Sequence, residues 1–201
     1  MRYNRKKIVR KAFAMGLGLI LVAQPVSAKV LDSSLFSHSK VASSERTFDN
    51  WKRVRSVEGR CSATFPRVPE YLQQKMPMKG QDNDLQYYVY VADHQRKEVF
   101  MVLIAQYPGE VNQEHAPKNL EHFLNTLIAQ NHKNRLLFAD LVDVQGYPGM
   151  DFHIRTDQVY FKGRVIQKNS TLYLLAMECE IPNYQEDHFN YFIKSFELHD
   201  D

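Results

Sequence analysis

Residues 85–105, LQYYVYVADHQRKEVFMVLIA, decide how the chain folds. Leu85, Tyr87, Val89 and Val91 recur with period two, with Gln86, Tyr88 and Tyr90 on the opposite side, the alternation of a strand with two distinct faces. Val99 to Ala105 is apolar on both faces, which predicts a central strand covered from above and below. Asp93 to Arg96 supplies the polar turn between them. Two long strands joined so tightly pair antiparallel. Upstream, Gly80-Gln81-Asp82-Asn83 is turn chemistry. Further upstream lies the short run Arg60 to Phe65, ended by Pro66 and Pro69, which cannot donate to a ladder.

Downstream the period changes. Leu120, Phe123, Leu124, Leu127 and Ile128 form one apolar stripe of a helix entered at Pro117 and ending near Asn131. Four further strands follow: Leu136 to Val144, Met150 to Thr156, Val159 to Gln167 and Leu172 to Cys179. Gly146-Tyr147-Pro148-Gly149 and Lys168-Asn169-Ser170 are expected as connections. Asn183 with Glu186 predicts a capped start for a closing helix whose stripe is Phe189, Phe192, Ile193 and Phe196. Strand runs broken by two helices predict an α+β domain. Its antiparallel sheet of about six to eight strands is flanked by the two helices.

The N-terminus has another purpose. Arg2, Arg5, Lys6, Lys7, Arg10 and Lys11 precede an apolar run from Ala12 to Ala23, then Pro25 and Val26-Ser27-Ala28. This is the order of a cleavable signal peptide over residues 1–28. The apolar run is too short for a spanning helix, which takes about 20 residues. Residues 29–49 are Ser-rich and read as a flexible linker, leaving one domain over residues 50–201. The full chain carries a net charge of +3; removal of the signal leaves 20 basic against 23 acidic residues. No electrostatic footprint for nucleic acid remains, and no transmembrane helix is expected in the mature chain.

Chemistry-bearing patterns are sparse. There is no Gly-rich phosphate loop, no G-x-S-x-G and no H-E-x-x-H, so no cofactor, catalytic residue or metal ligand is assigned. His115, His122 and His132 surround the first helix, with His115 and His122 two turns apart. Asp187-His188 sits beside the closing stripe, and His94-Gln95-Arg96-Lys97 is a turn; all read as solvated groups. Asp140 and Asp143 point to opposite sides of one strand. Tyr87, Tyr88, Tyr90, Tyr107, Tyr160 and Tyr173 lie on strands, where exposed tyrosines suit a binding surface and half-buried ones suit packing. Cys61 and Cys179 leave two readings open. In an oxidising compartment they form one disulfide worth about 4–5 kcal/mol; otherwise they are two buried thiols.

The run Val57-Glu58-Gly59-Arg60-Cys61-Ser62-Ala63-Thr64-Phe65-Pro66-Arg67-Val68-Pro69 resembles the opening of PsbP/Mog1-like domains. Val144 to Asp151 is similar to their mid-domain Gly-x-Pro-Gly turn. Arg164 to Ala176 is similar to their last hairpin, and Phe192 to Leu198 to their closing helix and Ser-Phe-x-Leu strand. The resemblance spans residues 51–198. It implies an antiparallel sheet flanked by helices, used for binding or assembly without a shared catalytic residue. The expectation is an exported, periplasmic or secreted, non-catalytic domain that binds a protein or envelope component. The alternatives are an enzyme with a His/Asp-lined cleft and an exported metal-binding protein.

Overall fold

The computed structural model describes residues 48–78, 83–109 and 113–199. The signal peptide, most of the linker and the turn expected at Gly80 to Asn83, apart from Asn83 itself, lie outside them. Among the described residues, ten strands and two α-helices run in the order β1 (Lys52–Ser56), β2 (Cys61–Phe65), β3 (Glu70–Met76), β4 (Leu85–His94), β5 (Glu98–Gln106), α1 (Ala116–Ala129), β6 (Arg135–Val144), β7 (Tyr147–Arg155), β8 (Val159–Lys168), β9 (Thr171–Glu180), α2 (Glu186–Lys194) and β10 (Glu197–Leu198). Seven strands form one antiparallel sheet in the order β3-β4-β5-β9-β8-β7-β6. The other three form a small sheet, β1-β2-β10.

The sheet is covered on both faces, as the two-sided apolarity of β5 requires. On one face, Tyr87, Val89, Leu103, Leu174, Val165 and Phe152 pack with Leu120, Phe123, Leu124 and Leu127 of α1. On the other, Tyr88, Tyr90, Phe100, Val102, Leu175 and Met177 pack with Phe65 of the small sheet and with Phe189, Phe192 and Ile193 of α2. The expected α+β architecture is therefore the observed one: α1, the large sheet, then the small sheet with α2.

Double coverage decides the tyrosines. Tyr87, Tyr88, Tyr90 and Tyr173 are all buried, so they are core residues and not a binding surface. Opposite parities along β4 lead into two different cores. The connection after β6 also departs from expectation. Gln145 and Gly146 have φ of 56° and 83° and make the turn alone, while Tyr147 to Gly149 already belong to β7. Positive φ at both central residues is what a tight hairpin needs to match strand twist. The expected Asn183–Glu186 cap does not form. Residues Ile181–Asn183 make a 3-10 turn, and Gln185, without a side-chain cap bond, precedes α2. Strands β1 and β3, polar and bracketed by prolines or glycine, carry no clean period in the sequence.

Gly163, inside β8, occupies space that no side chain could share. A Cβ there would lie 2.6 Å from Phe152 Cζ and 2.8 Å from the Leu175 carbonyl. The bare backbone lets Phe152 lie across β8.

Candidate functional site

The most unusual chemistry sits at the turn end of the β4–β5 hairpin. Gln95 and Arg96 have φ of 52° and 60°, and Lys97 N–H donates to the His94 carbonyl at 2.9 Å. This turn sets His94 opposite Glu98 in the ladder, and Glu98 in turn opposite Cys179 of β9. Helix α2 brings His188 to the same place, because its core stripe through Phe189 and Phe192 turns the adjacent position toward the hairpin.

Glu98 is 2% exposed. Its Oε2 lies 3.0 Å from His94 Nδ1 and 2.7 Å from His188 Nδ1, while Oε1 is buried without a hydrogen-bond partner. The two imidazoles meet edge to face, with centroids 4.8 Å apart. An aromatic collar closes around them. Trp51 lies 5.9 Å from His94 and 6.1 Å from His188, Phe48 lies 5.9 Å from His188, and Tyr191 stacks on Phe48 at 4.0 Å. Two imidazoles and a carboxylate can share protons or hold a cation. Among the described residues, these three side chains are the group gathered closely enough to ligate one metal ion.

A second polar cluster lies on the same side. Lys162 Nζ donates to Tyr184 Oη at 3.1 Å and to Glu186 Oε1 at 2.6 Å. His153 stacks on Tyr184 with centroids 5.7 Å apart. Burial, with the Lys162 charge nearby, holds the His153 imidazole below its ordinary range.

The thiols fall on different sheets. Cys61 pairs with Ser56 and Leu198 in the small sheet, and Cys179 with Glu98 and Tyr160 in the large one. Both are buried and free, so the structure takes the two-thiol reading and corrects the disulfide. Burial, joined at Cys179 by nearby carboxylates, pushes both thiols up to about 12. A buried thiol that keeps its proton is a poor nucleophile and a poor metal ligand. His188, read as a solvated surface group, is mostly buried against Glu98. His94 belongs to the same site although its neighbours Gln95 and Arg96 form an exposed turn. Glu98 belongs to no sequence motif; its one signal is a carboxylate at the start of an otherwise apolar strand. His115, His122 and His132 do not join this group.

At the other end of the sheet, a shallow cleft of about 490 Å³ lies among Lys75, Asp84, Gln86, Gln106, Tyr107 and Thr171. Among the described residues lining it there is one carboxylate, Asp84, and no histidine, so they do not assemble the His/Asp-lined cleft of the enzyme alternative.

Among the described residues, strand β6 is an edge, paired with β7 and no other strand. It exposes Leu136, Leu137, Phe138 and Leu141, each between 44% and 53% accessible. A bulge at Leu137 interrupts the register, which then runs unbroken from Phe138 to Val144. Among the described residues, no helix is long and apolar enough to cross a membrane.

No family model matches the chain, and no curated protein matches it. Among solved structures, cyanobacterial PsbP (CyanoP) from Synechocystis sp. PCC 6803 superposes with a TM-score of 0.54 at 13% identity, over 79% of this chain and 98% of that one. A Pseudomonas aeruginosa protein of unknown function aligns at 9% identity with a TM-score of 0.31, over 67% of this chain and 85% of its own. The CyanoP superposition, the antiparallel sheets and the two flanking helices make this a PsbP-like fold.

Proposed function

We propose that the protein is an exported, non-catalytic binding domain that takes an extended apolar segment of a partner protein as an added strand along β6. The observation that supports this is the composition of the edge. Unprotected edges are usually blunted by charge, proline or a covering element, because their outer N–H and C=O groups will pair with another chain. From Phe138 onward β6 is regular, and Phe138 and Leu141, on opposite sides of the strand, both face water, while Val142 and Val144 pack into the α2-side core. An added strand would bury Phe138 and Leu141 and complete the ladder, the mode of recognition in which main-chain bonds supply affinity and side chains supply register. Asp140 and Asp143 favour a partner strand with a basic residue at its flank. Export rests on the N-terminal sequence, and the working end of the domain is then the periplasmic or extracellular space.

Two measurements test this reading. N-terminal sequencing of envelope material should begin at Lys29; an intact Met1 there would refute export. A photo-crosslinking residue at position 141 should trap one protein in the native envelope, while the same residue at exposed Val57 should not. The trapped protein, once purified, should bind with affinity reduced more than about tenfold by Leu141→Lys, since rim-to-core burial of one large side chain is worth about 1.5–3 kcal/mol. Equal trapping at position 57, adducts only of a second copy of this chain, or unchanged affinity in Leu141→Lys overturns the docking edge.

A further inference from the structure

We infer that His94, Glu98 and His188 form a binding site for one divalent cation of the zinc class. It lies away from β6 and stands independently of the docking edge.

The first support is geometric. The three side chains each offer one ligand atom, and these atoms all lie within 4.8 Å of one another. Zinc binds imidazole nitrogen and carboxylate oxygen at about 2.0–2.2 Å, which in tetrahedral coordination places ligand atoms about 3.4 Å apart. The Nδ1 to Oε2 separations of 3.0 and 2.7 Å fall about 0.4 and 0.7 Å short of that spacing, a gap that small rotations of the side chains close. Three protein ligands leave a fourth position for water or for the second carboxylate oxygen.

The second support is electrostatic. A buried carboxylate must be paired or must coordinate a metal, because its desolvation is otherwise unrecovered. The ionic partners of Glu98 among the described residues are the two imidazoles. Both contact the same oxygen, and Oε1 is left with none. A dication supplies the missing charge and leaves each imidazole as a neutral nitrogen ligand.

The third support is ligand chemistry. Two imidazoles with one carboxylate suit zinc, copper, iron or nickel, whereas magnesium and calcium take oxygen-rich shells. Trp51 packs against both imidazoles and Phe48 against His188, an apolar shell of the kind that limits solvent access to a metal site. A bound ion ties the hairpin turn to α2 across 90 residues of sequence, so it stabilises the junction between the large sheet and the closing helix.

Calorimetric titration of the purified, chelator-stripped protein with zinc chloride tests the site. One ion per chain should bind with micromolar or tighter affinity, raise the melting temperature, and be matched by neither magnesium nor calcium chloride. Loss of a ligand should exceed the 10- to 100-fold cost of losing a ligand's outer partner. His188→Gln and Glu98→Gln should therefore weaken zinc by more than about 100-fold, and His132→Gln should not. His188→Gln carries the test if Glu98→Gln fails to fold, since a glutamine amide still donates to Glu98. With copper(II), paramagnetic resonance should show nitrogen coupling from two imidazoles, falling to one in His188→Gln. Substoichiometric uptake overturns the site. So does zinc binding that is unchanged in folded His94→Gln and His188→Gln.

Discussion

Phe192→Ala tests how the layers are joined. Phe192 is fully buried at 0% exposure. Its ring lies 5.4 Å from Phe65 of the small sheet and 5.2 Å from Phe100 of the large sheet, edge to face in both cases. It therefore bridges three elements, α2, β2 and β5. Truncation removes the transfer free energy of the ring and leaves a cavity walled by strands on two sides, which cannot collapse freely. Phe→Ala at such a site costs about 3–5 kcal/mol, a large part of the 5–15 kcal/mol that holds a typical domain together. For a domain of this size the melting temperature should fall by on the order of 10 °C. Urea unfolding followed by far-UV circular dichroism measures it, with the m-value as control. Phe192→Leu keeps most of the volume and should cost about a third as much. A loss below about 0.5 kcal/mol in Phe192→Ala, at unchanged m-value, would place that face of α2 in solvent and refute the two-core arrangement.

Two further outcomes follow from the buried groups. Cys61 and Cys179, buried and with thiols pushed up to about 12, should resist alkylation at pH 7.5 in native protein and both react in denaturant without any reductant. A need for reductant would show a bridge. For His153, the folded imidazole titrates below its ordinary 6.5 because burial, then Lys162, disfavours its charge. The unfolded chain then binds the extra proton first. Its contribution is fully present above about pH 6.5 and is lost as pH falls from there toward the lowered folded value. Unfolding free energies of wild type and His153→Gln, compared between pH 7.5 and 5, should show a shallower loss in the variant; parallel curves would contradict the burial argument.

Strand and helix identity was legible wherever a period met turn chemistry. Leu85 to Val91 and Leu120 to Ile128 each announce one face, and those faces are the ones that meet in the α1 core. The apolar edge β6 was legible, but the polar edges β1 and β3 were not. Lys52–Ser56 and Glu70–Met76 are mostly polar because one side of each sees water, and an edge strand without an apolar face has no period to read. The tyrosines misled for the opposite reason. Parity tells which side a residue faces, but not whether the far side is covered, and here a second sheet and a helix cover it. The cysteines illustrate the same limit. Both point into the core between the sheets, yet they belong to different sheets, a separation that no count along the chain contains.

The His94–Glu98–His188 site was illegible because its members carry no mutual spacing. His94 and Glu98 are neighbours only through the hairpin register, and His188 arrives from a helix 90 residues on. What marks the site is its energetic cost. Position 98 borders the core of Phe100, Cys179 and Phe189, where an apolar residue would extend the packing with no polar atom to satisfy. A carboxylate there must instead be desolvated, and hydrogen bonds to one of its oxygens recover only part of that penalty. The aromatic collar deepens the cost by leaving the imidazoles only 21% and 16% exposed. Local rules of strand patterning are broken at functional positions more often than elsewhere. The break at Glu98 falls where two histidines from separate elements converge, so the physics that makes this residue a poor core group makes it a good ligand. A cation bound there would convert a half-satisfied buried carboxylate beneath α2 into an anchor for the helix.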